Sequence, residues 1–448
     1  MTDTTQVPEL DRALALHIIE RLGSAGIPPT TGLVHINAGN EQLLELLERE
    51  YFDVILKRSS AFKLVEAYYG GGKTHFLLIL RELAWRRGFA CALVELSPVE
   101  CPYDDPVKVY RAVASRVQLE PKDPLSLDEP TGITTLLRRQ AEAEVAAVME
   151  EESAASWGRR GDARRRAVDR LITRLDEAPI ESSAYRAAAI AWLEAYAGDD
   201  RHTQRLMEAW FLGEDVPVST VRTHGVHDTV RPANGFTMLR SLVQLIRGLG
   251  LAGTALLFDE VDRTLSVSAR KHESITDNLR QIIDLCGQQR LPNTFFVYAV
   301  PPEFMRNIVV NYPALTQRLA APVEFGVRNP QSPRIALDQL DMPAQALLEA
   351  IGQRILRVYQ VARDIQLSAG TQAYNAAALA KACLAREFDV NHRRLFVKTW
   401  IACLEGQRVD GETFLGDEAI GTLLGQHAGA LHRLAEDAAH SGFGDDDF

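Results

Sequence analysis

Apolar residues recur at three- and four-residue spacing through 10–22 (LDRALALHIIERL) and stop at Gly23, Gly26, Pro28 and Pro29. That spacing predicts a helix, and those residues predict its end. A second helical pattern covers 40–57. The period then changes. Phe62 to Glu66 is a short apolar run, followed by glycines at 70–72, a helical pattern that stops at Gly88, and a second apolar run from Phe89 to Leu96. Strand, glycine turn, helix and strand predict the opening of an α/β domain with a parallel sheet.

From about 119 to 235 the texture shifts. Alanine, arginine and glutamate dominate, and helix formers run through 134–153 and 160–210. Strand-like runs return at 254–258 (TALLF) and 294–300 (TFFVYAV), with a long helical stretch at 271–288 between them. Beyond Pro330 and Pro333 the pattern is helical to about 405. The predicted organisation is a helical lead-in at 1–60 and an α/β core at 61–118 and 236–330. A mostly helical insertion at 119–235 interrupts the core, and 331–448 forms a helical region ending in an acidic tail, expected to fray. No internal repeat is visible.

Composition narrows the function classes. Of 448 residues, 46% are hydrophobic, which excludes a mostly disordered chain. Lys plus Arg is 49 and Asp plus Glu is 60, so the net charge is −11. A chain of that sign is not a generic phosphate-coating protein, although a local basic patch can still reach nucleic acid. Cysteines at 91, 101, 286, 383 and 403 form no C-x-x-C pair and are odd in number. They read as small buried residues in a reducing compartment. The polar start (MTDTTQVPELD) is unlike a signal peptide, and no run reaches the roughly 18 apolar residues of a membrane span. The expectation is a cytoplasmic protein.

The strongest chemistry lies at Gly70-Gly71-Gly72-Lys73-Thr74-His75, between a strand and a helix. Binding a nucleoside triphosphate needs a turn with little side-chain bulk, so that backbone N–H groups reach the phosphates. It also needs a helix N-terminus, a lysine for the β- and γ-phosphates, and a hydroxyl for Mg²⁺. The chain supplies these in order, with Gly70, Gly71, Gly72, Lys73, Thr74 and His75 as nucleotide contacts and Thr74 as a metal ligand. One departure is Ala67, where the phosphate-loop pattern has glycine. It is tolerable if Ala67 keeps a negative φ. Downstream, the strand 256–260 ends in Asp259-Glu260. Asp259 is the expected Mg²⁺ ligand and Glu260 the expected general base for water. Two carboxylates would also suit a glycosidase, but the lysine loop argues otherwise.

Three further positions are candidates. The strand ending at Val300 carries no Asn or Thr as a polar sensor, and Tyr298 is either a substitute or a strand aromatic. Arg318, in YPALTQRL, ends a short helix from which a guanidinium can reach a neighbouring subunit's γ-phosphate; a surface or locally paired arginine is the alternative. Arg393 and Arg394, in NHRRLFVK, open an amphipathic helix from which one arginine can fold over the nucleotide. Arg394 has the better register if Leu395, Phe396 and Trp400 form the buried side.

The motif order resembles the AAA+ ATPases, in their initiator-like branch related to Orc/Cdc6. More closely, the chain resembles the ATP-binding protein family of bacteriophage-exclusion (BREX) defence loci. The matching segments include HIIERLGSAGIPPTTGLVHINAGNEQLLELLERE, YYGGGKTHFLLILRELA, ALLFDEVDRTLSVS, YPALTQRL and NHRRLFVK. They cover most of the chain outside the insertion and the tail. The resemblance implies an α/β fold with an AAA+ P-loop core, a C-terminal helical lid, and ATP and Mg²⁺ as cofactors. It also implies work on DNA with a partner, often a helicase, in phage defence or DNA repair, and assembly as a homo-oligomer. By the same resemblance, Gly39 and Asn40, in Gly39-Asn40-Glu41, stand where a box upstream of the phosphate loop contacts adenine.

One dense basic run, RRGDARRRAVDRLITR at 159–174, offers a place for DNA phosphates. A solvated helix with its own Asp–Arg pairs is the competing reading. At the level of function, the competitors to an ATPase are a nucleotide-gated scaffold with negligible turnover and a small-molecule kinase.

Overall fold

The structure is a computed structural model that describes residues 9–25, 28–68, 70–97, 101–123, 125–126, 129–153, 163–259, 269–319, 323–338, 342–386 and 392–440. In chain order, helices α1 (Arg12–Ala25) and α2 (Glu41–Leu46) precede strand β1 (Ala61–Glu66). Helix α3 (Lys73–Arg86) and strand β2 (Phe89–Glu95) follow. Next come helices α4 (Pro106–Arg116), α5 (Ile133–Ser153), α6 (Ala163–Glu177), α7 (Ser183–Ala197), α8 (Arg201–Phe211), α9 (Val218–Val221) and α10 (Gly235–Gly248). Strand β3 (Gly253–Asp259), α11 (Ala269–Gly287), β4 (Thr294–Val300), α12 (Pro313–Leu319) and β5 (Arg334–Ala336) complete the middle of the chain. Helices α13 (Ala344–Arg363), α14 (Ala369–Leu384), α15 (His392–Asp410) and α16 (Asp417–His440) end it.

The elements gather into two units. One takes Met1–Glu45, Ala67–Ile79 and Ala336–Phe448; the other takes Leu46–Glu66 and Leu80–Ile335. In the first, α1 lies along α13 and α15, and α13, α14, α15 and α16 pack on one another. Close approach is set by small residues. A Cβ on Gly352 of α13 would come within 3.1 Å of the Phe396 ring, and one on Gly23 within 3.3 Å of Ile401.

The second unit holds the sheet, in the order β2-β3-β4-β1-β5. Strands β1 to β4 are parallel: β1 pairs with β4, β4 with β3, and β3 with β2. In register, Glu66 lies opposite Val300 and Glu95 opposite Asp259, so these strands end along one edge. That edge is where open α/β sheets place ligands. Every residue of β3 and β4 is buried, which explains their unbroken apolar runs: both faces are covered. With its helical connections the sheet is the α/β P-loop NTPase core that the sequence predicts.

The sequence misses one strand. β5 is three residues long with only Ile335 fully buried, too short to show a period. It also reads α6 to α8 as one run at 160–210. The chain breaks at Pro179, and Ser182 restarts it by accepting the Tyr185 N–H as N-cap of α7. It breaks again at Gly198 and Asp199, after which Asp200 caps α8 through the His202 and Thr203 N–H groups. Helices α5 to α8 share one buried core with the sheet: Tyr185, Trp192, Trp210 and Phe211 belong to the same cluster as Leu256, Phe258 and Tyr298. Tyr110 of α4 ties this core together, its hydroxyl donating to Phe211 O at 2.8 Å and accepting from the Tyr185 hydroxyl at 3.1 Å.

All five cysteines are free and buried, and burial raises each thiol's pKa. Among the described residues no helix is long and apolar enough to cross a membrane.

Candidate functional site

The glycine loop explains its own composition. Gly70 and Gly72 have φ of 75° and 92°, in the left-handed region that favours glycine. Gly71 is required for a different reason. A Cβ there would meet Ala67 Cβ at 2.7 Å and Asp338 Oδ1 at 2.9 Å. Ala67 is fully buried and is not among the residues with positive φ, so alanine fits where glycine was expected.

Helix α3 starts at Lys73, with Phe76 N–H donating to Gly72 O at 2.9 Å as its first helical bond. The N–H groups of the first turn have no intrahelical acceptors, and their dipoles favour an anion there. Lys73 is buried, and its Nζ donates to Ala67 O at 3.0 Å and Tyr68 O at 3.3 Å. The ammonium thus folds back inside the curve of the loop. Thr74 is exposed and His75 half-buried. Burial and the nearby Arg393 guanidinium push His75 down to about 4, so its ring is neutral near pH 7.

Of the two arginines that open α15, the structure brings Arg393 to the loop rather than Arg394, the one with the better sequence register. Arg393 donates from Nη1 to Gly71 O, and the same nitrogen lies 3.0 Å from where a Gly72 Cβ would stand. The reason is helical phase. Positions 393, 396 and 400 are spaced i, i+3 and i+7 and share one face. Phe396 and Trp400 are fully buried against α13, with Trp400 Nε1 donating to Gly352 O at 2.9 Å.

Gly39-Asn40-Glu41 forms a tight turn in the same unit. Gly39 has φ of 87° and donates its N–H to Glu41 Oε2 at 2.7 Å. Glu41 Oε1 in turn pairs with Arg354 of α13 at 3.3 Å. Asn40 is buried and its carbonyl accepts Leu44 N–H to open α2. The side-chain oxygens of Asn37 and Asn40 are buried without a hydrogen-bond partner among the described residues. A buried acceptor left unmatched is costly, and a bound donor would relieve it.

The other unit holds the remaining candidates. Asp259 ends β3, buried, with its carbonyl accepting Leu96 N–H at 3.0 Å. Glu260 lies outside the described residues, as do Arg159 and Arg160 of the basic run. Tyr298 is a strand aromatic: its ring packs at 5.1 Å from Tyr103 and 6.0 Å from Phe304, and burial raises its pKa. Arg318 is locally paired. Its Nε and Nη2 meet the two carboxylate oxygens of Asp284 at 2.5 and 2.9 Å, and Nη1 donates to Ala314 O at 2.6 Å.

The arginines of α6 are mostly matched as well. Arg165 pairs with Asp169, Arg170 with Glu151 and Glu144, and Arg174 with Glu144. Arg164 lies over the Tyr196 ring at 4.8 Å. Arg165 thus has a partner within its own helix, while Arg170 and Arg174 are met by carboxylates from α5, which the sequence places more than ten residues away.

One residue at the loop has no sequence signal at all. Asp338, just past β5, accepts the Tyr68 N–H on Oδ2 at 2.8 Å. Nothing in its local sequence marks it, because only the fold returns it to the loop.

A family model described as "BREX system ATP-binding protein BrxC/D" matches residues 10–408. The chain belongs to the BrxC/D family. The match spans the glycine loop, Asp259, Arg318 and both arginines of α15, in agreement with the resemblance read from the motifs. Comparison with curated proteins and with solved structures gave no match.

The BrxC/D site residues fit a nucleoside triphosphate on three observations. Gly70 and Gly72 take left-handed φ that shape the turn, the turn leads into the N-terminus of α3, and Lys73 Nζ lies inside it against Ala67 O and Tyr68 O.

Proposed function

We propose that this BrxC/D protein binds and hydrolyses ATP with Mg²⁺, and acts on DNA together with a partner protein, a helicase being the class expected, in phage defence or DNA repair. The observation that carries the reading is the glycine loop: Lys73 opens α3 behind glycines whose φ angles and close approaches exclude other residues. Bound ATP would supply the phosphoanhydride that is cleaved. The residues do the rest. Loop N–H groups and Lys73 would hold phosphate oxygens, Arg393 would add a second cation, and Thr74 and Asp259 would serve as metal ligands. Glu260 takes the proton of the attacking water. The buried amide oxygens of Asn37 and Asn40 suit an exocyclic amino donor such as adenine carries. Assembly into a homo-oligomer belongs to this reading through Arg318 acting in trans.

The test is DNA-dependent ATP turnover, wild type against Glu260→Gln. The expected outcome is turnover in the wild type and its loss in the variant, with ATP affinity retained. No turnover in the wild type at any protein concentration, with or without DNA, sinks the hydrolase reading.

A second reading is favoured by the Arg318–Asp284 pair. An arginine already held by its own protomer supports a nucleotide-gated scaffold that binds ATP and recruits a nuclease or helicase with negligible turnover. ATP binding without single-turnover hydrolysis would select it.

A further inference from the structure

Two charged side chains from distant parts of the chain close on adjacent glycines of the loop. Asp338 Oδ2 accepts Tyr68 N–H at 2.8 Å, and Asp338 Oδ1 lies 2.9 Å from where a Gly71 Cβ would stand. Arg393 Nη1 donates to Gly71 O and lies 3.0 Å from the corresponding point on Gly72. The carboxylate is near enough to the guanidinium to favour its charged form, while burial works against that form and wins. Arg393 is thus a cation with a neutral carbonyl as its direct partner and one carboxylate nearby.

This geometry gives Asp338 two separable tasks. As a hydrogen-bond acceptor it fixes the outer turn of the loop through Tyr68. As a charge it compensates Arg393. The first task needs only an oxygen; the second needs the negative charge. A phosphate arriving at the loop needs the same guanidinium, and it meets the repulsion of a carboxylate already there.

We propose that Asp338 is an internal competitor for the nucleotide's phosphates: a positioning residue that holds the loop by its oxygen and sets nucleotide affinity by its charge, acting through Arg393. This rests on the reading of the glycine loop as the seat of the triphosphate. Asp338 is exposed, so its effect is moderated by solvent and weakens with added salt.

Asp338→Asn separates the tasks, since an amide oxygen still accepts Tyr68 N–H while the charge is gone. Calorimetric titration of the full chain with Mg·ATP should show Asp338→Asn binding about 3- to 10-fold tighter than wild type at low salt, with the gain shrinking as salt rises. In an Arg393→Ala background the same substitution should change affinity by less than about twofold, because the coupling runs through that guanidinium. Asp338→Ala should also lose the Tyr68 hydrogen bond, read as faster exchange of that amide with no nucleotide added. Unchanged or weaker binding by Asp338→Asn overturns the proposal, as does an equal gain with and without Arg393. Loss of affinity on Lys73→Ala keeps the two questions apart. If wild type binds ATP in a Lys73-dependent way and Asp338→Asn gains nothing, only this proposal falls. If wild type shows no Lys73-dependent binding, the nucleotide reading falls and takes this one with it.

Discussion

Arg393 and Arg318 carry the same side chain, and each was a candidate for meeting a phosphate. Their surroundings differ in kind. Arg318 is gripped at both ends of its fork by Asp284, and that pairing raises its pKa. Arg393 donates to a backbone carbonyl beside the glycine loop, and burial lowers its pKa despite Asp338. The directions are opposite because one guanidinium has its charge answered at contact distance and the other does not. An arginine in a bidentate ion pair gives up a good partner to bind an anion, whereas one resting on a neutral carbonyl gains by it. The sequence offers both as phosphate contacts; the partner decides.

The largest effect expected around this contrast is on the lysine that both arginines were meant to assist. Lys73→Ala should weaken Mg·ATP binding about 100-fold by calorimetry, as loss of a charge-assisted phosphate contact inside a preformed loop. Retained affinity would mean that the loop is a structural turn.

Next comes the pair itself. Arg393→Ala should weaken ATP binding about 10-fold, while Arg318→Ala should leave binding within about twofold. If Arg318 acts across subunits, its alanine variant loses turnover, and mixing it with Lys73→Ala partly restores it. A comparable loss of affinity at both positions would erase the distinction. Failure to complement would leave Arg318 as a strut between α12 and α11.

The smallest effect concerns a lysine with no carboxylate partner among the described residues. Lys63 of β1 is fully buried, with Nζ donating to the Tyr51 hydroxyl and to Ser332 O, each at 2.5 Å, and lying 4.2 and 4.4 Å from the Tyr51 and Phe325 rings. Burial pushes its pKa down to about 7. Between that value and the ordinary lysine range the unfolded chain holds more protons, so stability rises with pH. From pH 7 to 8.5 the rise should be about 1–2 kcal/mol relative to Lys63→Met, read from paired denaturation curves. Parallel curves for the two proteins would show that Lys63 stays charged throughout.

Local pattern was enough for elements that bury both faces or open on a distinct turn. β3 and β4 read as strands because each holds an unbroken apolar run and every residue is buried, and 294–300 matches to the residue. The loop was legible because its chemistry is consecutive in the chain. β5 was not, since three residues carry no period. Nor was the restart of α7 and α8, where Ser182 and Asp200 look like any polar residue until their caps form.

By itself, then, the sequence determined the family, the α/β P-loop class and the place of the glycine turn from Gly70 to Thr74 between a strand and a helix. Those depend on contacts within a few positions, where spacing stands in for geometry. The tertiary structure alone decided which charges are answered. It put Glu144 and Glu151 of α5 against the arginines of α6 and Asp284 on Arg318, and it left Arg393 on a backbone carbonyl of the glycine loop, where Asp338 bonds the Tyr68 N–H. Coulomb attraction depends on distance in space, and residues 270 or 322 positions apart in the chain meet at the loop only because the fold returns them there.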